Sequence, residues 1–521
     1  MKTLSQGFLG TCLAAGIGLS SSVAAYADAV CPKRGGTFRT VDMQYSRVDP
    51  TQAVNPVYLM DLVYDALLRV EHDLTISPGL AVDMPEQIDD LTYVFKLREG
   101  IKFHDGTDFN AEAVKFNVER QQSGDVVSPF TGIWKDFVSE VVVEDDHTVR
   151  FVLAKPWPGF LWEAASYLRF ASPAKIEELG EDYGITGAAG TGPFMFETFD
   201  PKKSITLVAN PDYYRTGEPC VDRYESSLLA SASVRILSLK SGELDLINTF
   251  PESQFPQFEG VDDIIIEEGV ATTLTLLPLN TRHPALADVR VRNAIQHAID
   301  GKAIIDNVYG GAGAEIESIF PPWHKGFVQA EDVSAVRPDL EKARALMAEA
   351  GFGPDGKALK LKLMTGGGGA HVQRGVLLQA QLKDIGIELE VENKAYGQVV
   401  NDMFAGRFDM VLWQFNGDTS LKDFTWNLYS GNSSTNMTGY NKEGGFQNPR
   451  AQELAEIIGQ TEDSDAVQAE IAELQQLVFA DNPFIFVNYR NHRAAYNDYV
   501  KGFQIPKLKG RDILHRVWLD K

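Results

Sequence analysis

Residues 359–393 read LKLKLMTGGGGAHVQRGVLLQAQLKDIGIELEVEN, and how they fold decides the class of the whole chain. Leucine and lysine alternate at the start, the period of a strand with one buried face. VQRGVLLQAQLKDIG (372–386) then spaces its apolar residues for a helix, and IELEVEN (387–393) returns to alternation. Two strands joined through a helix lie parallel, because only a long crossover returns the chain to the same end of a sheet. The class is α/β.

The same mixture extends outward in both directions. DLEKARALMAEAG (339–351) is a helix that ends on a capping glycine, and DVRVRNAIQHAIDGKAIIDNVYGG (288–311) makes two helical pieces. After the crossover, NPRAQELAEIIGQTEDSDAVQAEIAELQQLVFADN (448–482) gives two amphipathic helices, and PFIFVNY (483–489) closes as a buried strand. In the front half, LTYVFKL (91–97), SEVVVEDDHTVRFVL (139–153) and SITLVAN (204–210) alternate at period two and read as strands. No fixed-period repeat interrupts this order. At 521 residues the chain is too long for one core, and two bodies are expected, before and after about residue 279. RAAYNDYVKGFQIPKLKGRDILHRVWL (493–519) is too short to fold alone, so it is expected to return to the front body. Two lobes crossed by two chain passages follow.

Residues 1–27 stand apart. Lys2, the apolar run FLGTCLAAGIGL (8–19) and the small-residue site AYA (25–27) form a secretory signal, cut after about Ala27. Removing it leaves 47 basic against 72 acidic side chains, a surface that repels phosphate backbones and argues against nucleic acid as a partner. Cys31 and Cys220 are then the remaining cysteines, and in an exported chain they are a candidate disulfide. Each precedes a strand, GGTFRTV and VDRYESSLL, and parallel pairing of those strands would bring the two together.

Motifs for chemistry are sparse. GFGPDGKA (351–358) has glycine–lysine spacing but lacks the Ser or Thr of a phosphate loop and leads into a strand, so it reads as a loop. GxSxG, HExxH and CxxC do not occur, and none of the nine histidines stands four residues from another on a helix, so no metal pair is expected. His104-Asp105, in KFHDGTDFNAEAVKF (102–116), has the look of an acid–base pair. Asp105-Gly106 is turn chemistry, Asn110 a helix N-cap, and no nucleophile stands nearby in the sequence. The pair reads as structure, and neither enzyme nor cofactor chemistry is expected.

Eight stretches occur in an order that resembles a known family. They are YDALLRVEHDLTISPGLA, FKLREGIKFHDGTDFNAEAVKFNVER, GTGPFMFE, NPDYY, LKSGELDLI, DVRVRNAIQHAID, EKARALMAEAG and LKDIGIELEV. Together they look like the large extracytoplasmic solute-binding proteins of ABC importers, the peptide/nickel type (family 5). The resemblance implies a two-lobed periplasmic-binding-protein fold with two hinge crossings and a ligand cleft between the lobes. Lobe I is expected from 28–278 plus 489–521, with an inserted subdomain at roughly 75–185, and lobe II from 279–488. It further implies a periplasmic monomer that hands a small solute, by default a di- or oligopeptide, to membrane permease subunits. An opine, a sugar conjugate or another non-peptide nutrient is the alternative. An exported hydrolase and a chemoreceptor docking module are rival classes.

Site residues carry over one at a time. Peptide binders of this family place an aspartate three residues after a tryptophan to pair with the ligand amine; here Trp413 is followed at that distance by Asn416, and Asp418 stands two further on. Arg374 lies near an arginine that holds the peptide carboxylate in some relatives. Tyr45, Trp413, Phe415 and Tyr489 fall where the lobes should face the cleft, with Trp413 and Phe415 on one strand face. Asn488, Arg490 and Asn491, on the second crossing, are expected at polar ligand groups.

Overall fold

The computed structural model describes residues 30–521 apart from positions 42–45, 53–56, 125–130, 249–251, 259, 355, 367–368, 418, 509 and 512. The expected signal segment, Tyr45 and Asp418 therefore lie outside the described residues.

The crossover of 359–393 forms. Strands Leu359–Gly366 and Ile387–Lys394 pair in parallel through helix Gly369–Lys383, and Met410–Val411 adds on the far side of Leu359–Gly366. The lysines of the first strand face solvent, where Lys360 meets Glu388 at 3.4 Å and Lys362 meets Glu392 at 2.6 Å. The leucines between them enter a core shared with helices Val289–Ala298 and Gly301–Val308. A second core on the other side gathers Phe320, Phe424, Leu454, Leu474 and Phe479, so this lobe is layered helix–sheet–helix.

The front lobe is built on a four-stranded sheet. Thr37–Val41 pairs in parallel with Arg223–Ser227, which continues antiparallel to Ser204–Ala209 and Phe194–Asp200. Cys31 and Cys220 precede the two parallel strands and are joined, with Cα atoms 5.3 Å apart. Residues from Val500 to Leu519 complete this lobe's core beside Phe38, Tyr64 and Tyr224. A further core spans Leu67 to Phe170 around the sheet of Glu86–Asp89, Thr92–Lys96, Thr148–Leu153 and Val138–Asp145.

His104-Asp105 sits where this inserted subdomain meets the front lobe. Gly190 N–H donates to His104 Nδ1 at 3.2 Å, which fixes the tautomer and lets Nε2–H donate to Gly192 O at 3.0 Å. Burial pushes the imidazole down to about 4, so it is neutral. Asp105 accepts from Thr107 N–H at 3.1 Å, and Asn110 caps its helix through Ala113 N–H at 3.0 Å. The pair staples two glycine loops.

Two long strands join the lobes, Ile264–Pro278 and Phe484–Asn497, antiparallel to each other. Residues 264–269 pair with 492–497 in the front lobe, and 273–278 pair with 484–490 in the second, with a register shift between Gly269 and Thr273. The sequence reading ends the last strand at Tyr489. It continues through Asn497, because the polar run Arg490-Asn491-His492 crosses between cores and needs no apolar face.

Candidate functional site in the cleft

In an open α/β sheet, ligands bind beyond the carboxyl ends of the strands, at the point where the chain reverses its direction of winding. Leu359–Gly366 is such a point, since the chain leaves it first toward Ile387–Lys394 and then toward Met410–Val411 on the other side. The segments that follow these strand ends carry Arg374, Tyr396 and Trp413.

Trp413–Phe415 pairs with Leu274–Leu276 of the first crossing strand. Trp413 and Phe415 share a face, as expected, but that face rests on the second-lobe core, with Phe415 edge-on to Phe424 at 5.1 Å. Trp413 lies parallel to the Tyr396 ring, at 6.0 Å between centroids and 10° between planes, and Tyr396 is 62% exposed. The opposite face of the strand presents Gln414, which the sequence reading passed over. With its amide turned so that oxygen faces the donors, Gln414 Oε1 accepts from Arg374 Nη1 at 3.0 Å and from Arg490 Nη1 at 3.1 Å. Both guanidiniums also lie over Tyr309, at 5.7 and 5.3 Å, and Arg374 donates to the Tyr309 hydroxyl at 2.7 Å. Burial pulls Arg490 down to about 10. On the same face, directly opposite each other, Thr275 Oγ1 and Asn488 Oδ1 are buried with no hydrogen-bond partner among the described residues.

Asn416 is exposed, and its Oδ1 accepts from Thr273 Oγ1 at 2.7 Å, which ties the loop after Trp413 to the crossing strand at its register shift. Asn491 Nδ2 donates to Glu268 at 2.5 Å, and Arg493 holds the other Glu268 oxygen at 2.6 Å, so Asn491 serves the crossing ribbon. Tyr489 is a correction. Its side chain points into the second-lobe core at 1% exposure, where the hydroxyl accepts from Ser318 N–H at 2.9 Å and reaches Ser318 O at 2.6 Å. The cause is strand alternation: Asn488 and Arg490 take the polar face, and Tyr489 shares Leu274's.

Arg374 is 2% exposed and Asn488 and Thr275 are fully buried, so what the arrangement presents directly is the half-buried Arg490 for an anionic group, the Gln414 amide, and the flat ledge of Tyr396 and Trp413, with Arg374 behind them. Among the described residues, no group of three His, Cys, Asp or Glu is placed to hold a metal ion. Two lobes on paired crossing strands, with this cluster at the strand ends beside the crossing, define a two-lobed solute-binding protein.

Comparison with known proteins carries the assignment further. Residues 75–437 match the family described as Bacterial extracellular solute-binding proteins, family 5 Middle, and the chain belongs to that family. It is 29% identical over 374 residues to Di/tripeptide-binding protein 2 of Pseudomonas aeruginosa, covering 67% of this chain and 69% of that one. The periplasmic binding protein DppA from Helicobacter pylori, solved with the peptide STSA, superposes with TM-score 0.80 at 24% identity, over 94% of this chain and 99% of that one. AgaA of A. tumefaciens R10, solved with agropinic acid, gives TM-score 0.78 at 22% identity, over 93% and 100%. Among the described residues, no helix is long and apolar enough to cross a membrane.

Proposed function

We propose that this protein captures a short peptide in the periplasm, after loss of a signal cut near Ala27, and delivers it to the permease of an ABC importer. The observation that carries the reading is the convergence of Arg374 and Arg490 on Gln414 and Tyr309, at the strand ends where a ligand carboxylate would dock. The di/tripeptide-binding relative and the structure solved with a bound peptide support the peptide class. Binding proceeds by hinge closure. A ligand that touches both lobes binds the closed form better and shifts the population toward it. The protein acts as a monomer and turns over no substrate.

One observation favours a second reading. Asn416 occupies the position of the amine-pairing aspartate, and a neutral amide cannot neutralise an ammonium, whose burial without a partner costs several kcal/mol. For peptides, Asp418 supplies that carboxylate. An opine-like solute needs none, and a structural relative was solved with agropinic acid. Native mass spectrometry of the purified protein, then calorimetry with di- and oligopeptides and with agropinic acid, tests the choice. Peptide binding that weakens by about 2–5 kcal/mol in Asp418→Asn supports the first reading. Heat from the opine and from no peptide establishes the second.

A further inference from the structure

The two lobes also meet beyond Phe415, whose ring packs edge-on against Phe424 at 5.1 Å. Helix Leu421–Phe424 of the second lobe buries Leu421 and Phe424 in its own core and is capped by Ser420, which accepts from Asp423 N–H at 3.2 Å. Its Lys422 reaches across to the inserted subdomain. The ammonium lies 4.7 Å from the Phe137 ring centroid of that subdomain and 4.7 Å from Trp426 of its own lobe, between an aromatic from each side. The backbones meet here too: a Cβ on Gly159 would lie 3.9 Å from Ser420 Cβ. Behind this contact, in helix Phe160–Ser166, Glu163 is half-buried, and its Oε2 is shielded from water with no hydrogen-bond partner among the described residues.

We propose that Lys422, Asp423 and Glu163 form a latch that holds the inserted subdomain against the second lobe when the hinge is closed, and that protonation of Glu163 tightens it. The charges facing Glu163 come from both lobes. Asp423 opposes its ionisation, while Arg511 of the returning tail and Lys422 favour it; Arg169 and Asp61, paired at 2.6 Å, flank Arg511. Burial first, and Asp423 second, push Glu163 up to about 7. Opening the hinge withdraws the second lobe, which removes Asp423 and lets water in, so the carboxyl returns toward its ordinary range. Closing therefore takes up a proton, and the closed-to-open ratio rises as pH falls from 8 to 6. The rise is several-fold, with a ceiling of about tenfold if the open form titrates as a free glutamate. Lys422 holds the rim through its two rings, and it also faces Glu462 of its own lobe, whose carboxyl burial pushes up while the Lys325 ammonium draws it down.

The inference rests on hinge closure as proposed above but not on the nature of the ligand. Small-angle X-ray scattering of the ligand-free protein at pH 8 and pH 6 tests it. The radius of gyration is expected to fall on acidification in the native protein, to be low at both pH values in Glu163→Gln, and to be high at both in Lys422→Met. Asp423→Asn is the second variant: it leaves Glu163 titrating but shrinks the pH response. A radius that contracts when a mixed peptide hydrolysate is added, but ignores pH, overturns the latch and leaves the hinge. A radius unchanged by either overturns both. An equal acid response in the native protein, Glu163→Gln and Asp423→Asn overturns the assignment to these side chains.

Discussion

Tyr489→Phe separates a core residue from a cleft residue by the loss of one oxygen. Tyr489 Oη accepts from Ser318 N–H at 2.9 Å, and its single proton goes to Ser318 O at 2.6 Å, with Phe320 O also within reach at 2.9 Å. Ser318 is fully buried, so phenylalanine leaves its N–H and at least one carbonyl without a partner and with no access to water. Each such group costs about 1–3 kcal/mol, and the total for the second lobe is about 2–4 kcal/mol once the protein relaxes. For a unit of this size each kcal/mol moves the melting temperature by about 2–4 °C, which gives a fall of about 4–16 °C. Differential scanning calorimetry reads this shift, and titration calorimetry with the best-binding peptide is expected to give an affinity within about twofold of the native protein. A melting temperature unchanged to within a degree, together with lost affinity, would refute the reasoning and return the hydroxyl to the cleft.

Acid should expose the staple at His104. Its folded-state pKa, about 4, lies below the ordinary imidazole value, so its contribution is present in full above pH ~6.5 and is lost as pH falls toward 4. The loss approaches about 3 kcal/mol at its ceiling, and urea midpoints between pH 7 and pH 4 should slope less in His104→Gln. An identical slope in both proteins would contradict the assignment. Replacing Cys31 and Cys220 with serine opens a loop of sequence separation 189 and should cost about 2–5 kcal/mol of stability. Two free thiols in the denatured, non-reduced native protein would exclude the bond outright. Arg374→Met should weaken ligand binding by about 2–5 kcal/mol, and an unchanged Kd would remove Arg374 from the site.

Much of the fold was legible because its signals are local. The alternation of LKLKLM and IELEVEN, with a helix between, required parallel strands, and the parallel register is observed. The cysteines needed only that their strands be neighbours. The site was less legible, because a side chain's face depends on the partner strand. The chemistry of Tyr489 suits the cleft, whereas pairing with Leu274 turns it inward. Gln414 was readable in principle: if Trp413 and Phe415 share one face, the residue between them takes the other. Tyr309 and Thr275 carry no comparable signal, since each reaches the cluster only through tertiary packing. Glu163 and Lys422 stand more than 250 positions apart in the chain and come within electrostatic reach only once the lobes are assembled.

The returning tail has a consequence for the order of assembly. The second-lobe cores draw on one uninterrupted run, from Leu274 to Tyr489, whereas the front-lobe core joins Phe38 to Leu519. Closing a loop of that length costs entropy before any contact rewards it, so contacts within the second lobe form at less cost. During synthesis the front-lobe core stays incomplete until Val500–Lys501 and Trp518–Leu519 arrive to pair. Pulse-labelled hydrogen exchange during refolding should find amides of Leu359–Gly366 protected before those of Val500–Lys501; the reverse order would contradict this account. The interval leaves apolar side chains such as Phe38 and Tyr224 uncovered, and it is the stage at which a chaperone has most to bind.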